Sequence, residues 1–116
     1  MKEIDLTELS TYVKALHCEM RWRIIEILRE EPKSSDEIFK ILIENTDPML
    51  NNPKECHGKC KTDTVKNLKK PSLYYHLREL EKVGIIELDE YKPSKDNRAP
   101  EKVWKLNIDK LIINFR

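Results

Sequence analysis

The chain has 116 residues, 37% of them charged and 7% aromatic, with two glycines, three cysteines and a formal net charge of +1. That length supports one domain, residues 1–116, with a modest core. No apolar run approaches the ~18 residues a membrane span needs and the start, MKEIDLTELS, does not read as a secretory leader, so a cytoplasmic protein with no membrane partner is expected.

Leu6, Leu9, Val13 and Leu16 recur at helical spacing and predict a first helix over 4–16. A second is predicted over 19–29, with Trp22, Ile25 and Leu28 on one face, Ile24 and Ile27 widening it, and Pro32 beyond its end. Ser34 and Glu37 stand in capping-box spacing ahead of Ile38, Ile41 and Leu42, which predicts a third helix over 35–44. Residues 45–68 then read as a long loop, with prolines, asparagines, a glycine and two cysteines; loops of this length inside a small domain are usually functional or disordered.

The stretch KKPSLYYHLRELEKVGII resumes the helical pattern over 71–83. Pro71 suits a first helical turn, Leu73, Leu77 and Leu80 share one side, and Gly84 follows as a C-terminal cap. IIELDEY and EKVWKLN read as two strands of a hairpin over 86–106, joined by the basic tip KPSKDNRAP. Ile108, Leu111, Ile112 and Phe115 predict a closing helix over 108–115. The order predicts an α+β fold, mostly α with a small β-hairpin: a winged helix-turn-helix carrying a long insertion between its two motif helices.

Charge is distributed unevenly along this plan. Residues 1–50 carry 7 Lys and Arg against 11 Asp and Glu, and residues 51–116 carry 15 against 10. A basic C-terminal half favours phosphate partners, although a solvated face can have the same composition. If the three leucines of 71–83 face the core, Ser72, Tyr75, Arg78 and Lys82 fall opposite, with Tyr74 and His76 at the flanks. Lys69 and Lys70 stand where a helix N-terminus already favours anions. An exposed tyrosine on such a helix can donate its hydroxyl to a phosphate or base edge, and Arg78 can address phosphate or guanine. Tyr74 and His76 can equally be half-buried packing residues with locally satisfied polar ends, whereas Tyr75 is the one expected to be exposed. In the hairpin, Lys92, Lys95, Arg98 and Lys102 would lie along a phosphate backbone or enter a narrow minor groove.

Cys56 and Cys60, with His57 between them, would supply half of a tetrahedral zinc site, completed by His57, Cys18, His17 or an acidic side chain. A redox-active or loop-stapling disulfide and two unpaired thiols are the other readings of the same pair. No glycine-rich phosphate loop, nucleophile elbow or paired-carboxylate motif is present, and no enzymatic activity is expected.

MRWRIIEILREEPKSSDEIFKIL followed by PSLYYHLRELEKVGIIELDE resembles the ArsR-like winged-helix transcriptional regulators over roughly 75 of the 116 residues. The matching features run from Arg21 to Leu28, from Ser34 to Leu42, and from Tyr75-His76-Leu77 through Gly84-Ile85-Ile86. The resemblance implies a dimeric repressor that binds double-stranded DNA, with Tyr74 and Tyr75 at base-reading positions and the terminal helices pairing across a two-fold axis. The chain departs from that pattern by about twenty inserted residues between the motif helices. It also has PKSSDE where several of those sensors carry a CxC metal motif, so metal sensing does not carry over. A winged-helix module that binds protein, and a metal- or redox-responsive regulator acting through Cys56 and Cys60, are the competing expectations.

Overall fold

A computed structural model describes residues 1–44, 68–93 and 100–116. Among these residues the order is β1 (Lys2–Asp5), α1 (Leu6–Leu16), α2 (Glu19–Leu28), β2 (Lys33–Ser34), α3 (Ser35–Glu44), α4 (Lys70–Lys82), β3 (Ile86–Lys92), β4 (Glu101–Leu106) and β5 (Leu111–Asn114). The result is an α+β domain. The insertion predicted over 45–68 lies, apart from Leu68, outside the described residues, as do Cys56, His57 and Cys60.

Burial of aliphatic side chains assembles the helices. Met20, Ile24, Ile38, Leu42, Leu73, Leu77, Leu80 and Ile86 are almost wholly removed from water and form one cluster with Trp104 and Ile4. Each such side chain contributes about 1.5–3 kcal/mol of transfer free energy. Leu73, Leu77 and Leu80 point inward as their spacing predicts. On α2 the buried side is instead Met20, Arg21, Ile24, Ile27 and Leu28. Trp22, placed on the core face by its spacing, is 45% exposed at the rim, where its indole N–H donates to the Leu16 carbonyl.

Short-range chemistry sets several element ends. Asp5 caps α1, accepting from the Thr7 N–H at 2.9 Å and the Glu8 N–H at 3.3 Å. The helix predicted from residue 4 therefore begins at Leu6, and Ile4 belongs to a strand. At the end of α4 the Ile85 N–H reaches the Leu80 carbonyl and the Gly84 N–H reaches that of Glu81, a Schellman closure. Gly84 has φ +79, a conformation that L side chains rarely adopt. Ile85 and Leu80 are both buried, the apolar pair that accompanies this closure.

The capping box at α3 is present in both directions. The Ser34 N–H donates to Glu37 Oε1 and the Glu37 N–H donates to Ser34 Oγ, each at 3.2 Å. The backbone N–H of Ser34 holds the Glu37 carboxyl below its ordinary value, with the Ser34 hydroxyl and Lys92 adding to the effect. A carboxyl lowered by folding contributes stability that is full above the ordinary carboxylate range and is lost as pH falls through the lowered value. Ser34→Ala should therefore cost about 1 kcal/mol in urea unfolding at neutral pH. Glu37→Gln, which keeps an acceptor at that position, should flatten the acid limb of the stability profile.

The sheets are two. β3 and β4 form the predicted antiparallel hairpin, with Ile86 opposite Leu106 and Lys92 opposite Glu101, and a register shift between Leu88 and Glu90. β2 adds to the other edge of β4, giving the order β2-β4-β3. The second sheet is a parallel pair of β1 with β5, Ile4 lying beside Ile113. The helix predicted over 108–115 is thus a strand over Leu111–Asn114. Apolar residues at 108, 111, 112 and 115 fit a helical row, but Ile112 and Ile113 are β-branched and the opposite end of the chain supplies their hydrogen-bonding partner.

Candidate nucleic-acid interface

α3, α4 and the β3–β4 hairpin enclose an open groove of about 830 Å³. Leu77 and Trp104 supply its apolar floor, and Trp104 Nε1 donates to Ser35 Oγ at 3.0 Å, seating the hairpin on the start of α3. Lys40, Lys70, Arg78, Lys92 and Lys102 bring positive charge to this groove, and Asp36, Glu37, Glu81 and Glu101 bring negative charge.

On α4 the exposed row is Lys70, Tyr74 and Arg78, at successive i, i+4 steps, continued by Glu81 and Lys82. Tyr74 is an exposed ring on this row, at 43%. Tyr75 does not stand clear as its spacing predicts. It is half-buried, its ring 5.5 Å from the Arg21 guanidinium and 5.7 Å from the His76 imidazole. The reason is His76, fully buried at 0% exposure, which turns the core side of the helix toward Tyr75.

His76 is held from another helix. Arg21 Nε donates to His76 Nδ1 at 3.1 Å, and Arg21 Nη1 donates to the carbonyls of Lys14 at 3.2 Å and Ala15 at 3.1 Å. The guanidinium thus satisfies the last turn of α1 and the middle of α4 together. The Tyr12 hydroxyl donates to the Val83 carbonyl at 3.0 Å, a second tie between α1 and α4.

Of the other sequence-predicted residues, Lys69 is the exposed N-cap of α4, Ser72 is half-buried, and Lys82 is exposed beside Glu79. The groove gathers Lys70, Tyr74, Arg78 and Lys92 but not Lys69, Ser72, Tyr75 or Lys82. Lys95 and Arg98 lie outside the described residues. Cys18 sits in the apolar core at the α1–α2 junction. Among the described residues no group of three or more His, Cys, Asp or Glu side chains could hold a metal ion, and no helix is long and apolar enough to cross a membrane.

Sequence reasoning missed the acidic half of the groove. Lys70 Nζ lies 3.0 Å from Asp36 Oδ1, and Lys92 Nζ lies 3.5 Å from Glu37 Oε1. The hydrogen bond to Asp36 raises the Lys70 ammonium above its ordinary value. The Glu101 carboxyl is also raised above its ordinary value, by its interaction with the neighbouring Asp36 carboxyl and then by burial. Acidic residues in a first helical turn are ordinary sequence. Only folding shows that these two meet cations from α4 and β3.

No family model matches the chain, and no curated protein matches it. The functional reading therefore rests on the residues themselves.

Proposed function

We propose that this protein is a sequence-specific DNA-binding transcriptional regulator built as a winged helix-turn-helix. In this reading α3 and α4 are the two motif helices, α4 enters the major groove, and the β3–β4 hairpin is the wing on the backbone or minor groove. The observation that carries it is the exposed row Lys70, Tyr74 and Arg78 on α4, flanked across one groove by Lys92 and Lys102 of the hairpin. A phenol and a guanidinium one helical turn apart offer base-edge and thymine-methyl contacts, while the lysines supply phosphate contacts. The ArsR-like resemblance supports the same assignment and adds a homodimer that acts as a repressor. Leu6 and Val13, two turns apart on α1 and both exposed, support a second copy covering that helix. No enzymatic step belongs to this reading.

Selection of bound fragments from a random duplex library, followed by a salt titration of the selected site, tests it. The expected result is an enriched pseudo-palindromic sequence whose affinity falls with a log–log salt slope of about −4 to −6, as four to seven phosphate contacts require. No enrichment, with binding indifferent to salt, would point instead to a module that docks on protein.

A further inference from the structure

The lysines best placed for phosphate are already occupied. Lys70 opens α4 and pairs with Asp36, while Lys92 ends β3 and pairs with Glu37. The two carboxylates are adjacent in the first turn of α3, so one short piece of backbone holds a cation from each of the two elements that flank the groove. Neither carboxylate is a loose surface group. Glu37 is fixed by its reciprocal bonds with Ser34, and Asp36 is held against Lys70 at 3.0 Å.

We propose that Asp36 and Glu37 are built-in competitors for the DNA backbone: they hold Lys70 and Lys92 in the unbound protein, and duplex phosphates must displace them to engage this face. The inference rests on the DNA-binding reading and assigns a regulation to that same surface. Each displacement is small, because exposed ion pairs are weak and salt-screened. Together they set a threshold that a few stray phosphates do not cross and a fully docked duplex does, favouring complete engagement over casual electrostatic contact. The two pairs are unequal. Lys70–Asp36 is the closer pair, at 3.0 Å against 3.5 Å, and resists exchange more than Lys92–Glu37 does.

The test measures binding to a mixed-sequence duplex of about three helical turns by fluorescence anisotropy at about 0.1 M salt. Asp36→Asn with Glu37→Gln should tighten binding about three- to tenfold, most of it from Asp36→Asn. The glutamine keeps an acceptor for the capping box, and a single cooperative thermal transition verifies the fold. Glu81→Gln is the control, because Glu81 lines the groove with no ion pair among the described residues. Lys70→Gln should weaken binding more in the Asp36→Asn background than in the parent, the coupling a double-mutant cycle isolates. Two results overturn the inference while leaving DNA binding in place: a double variant that gains no more than Glu81→Gln, or a Lys70→Gln loss equal in both backgrounds. If neither the folded parent nor the folded variants hold the duplex, the DNA reading falls and takes this inference with it.

Discussion

Arg21→Leu should lower the free energy of unfolding by about 3 kcal/mol, read from urea melts, although leucine fills much of the same space. Arg21 is 3% exposed, and its guanidinium is the donor for His76 Nδ1 and for two carbonyls of the last turn of α1. Removing it leaves those acceptors buried without that donor, at about 1–3 kcal/mol each before relaxation. It also removes a cation from the negative end of α1 and the planar partner of the Tyr75 ring. Arg21→Lys should recover only part of the loss, because an ammonium cannot reproduce the fork that spans two helices. A neutral Arg21→Leu would mean that these contacts carry little of the stability.

The second large effect separates Tyr74 from Tyr75. Tyr74→Ala and Arg78→Ala should each weaken binding to the selected DNA site by about 1–2 kcal/mol, roughly five- to thirtyfold. Both side chains are exposed, so their urea midpoints should stay within about 0.5 kcal/mol of the parent. Tyr75→Ala should do the reverse. Its half-buried ring faces Arg21, so stability falls first, and DNA affinity measured on the folded fraction changes less. Anisotropy titrations paired with unfolding curves for the three variants check both halves. If Tyr75→Ala proved selective for DNA and Tyr74→Ala were silent, the proposed reading face would be wrong.

That contrast also shows what was legible in the sequence. Three leucines at i, i+4 and i+7 located the core side of α4, and Gly84 located its end, because both signals are local. They pointed to Tyr75 as the exposed ring of the two adjacent tyrosines, and the structure exposes Tyr74 instead. The buried set is Leu73, His76, Leu77 and Leu80, and His76 is buried against a donor from Arg21, 55 positions earlier. A polar residue buried by a distant partner is invisible to periodicity. β5 was lost for the same reason, since β1 at the other end of the chain decides its conformation. The capping box at Ser34 and Glu37 was readable, yet nothing local announced that Glu37 also meets Lys92 or that Asp36 meets Lys70. Lysine positions marked the basic side of the groove, and its carboxylates emerged only from the packing of α3 against α4 and β4.

The two ties, Arg21 from α2 and Tyr12 from α1, have a mechanical consequence. Arg21 grips α4 at His76 and Tyr12 grips the chain at Val83, two points about 10 Å apart along the same axis. A rod pinned at one point can swivel, whereas a rod pinned at two inherits the attitude of whatever pins it. The pitch at which Tyr74 and Arg78 are offered outward is therefore dictated by α1 and α2 together, and a push on either reaches the proposed reading edge as a tilt rather than being absorbed as slack.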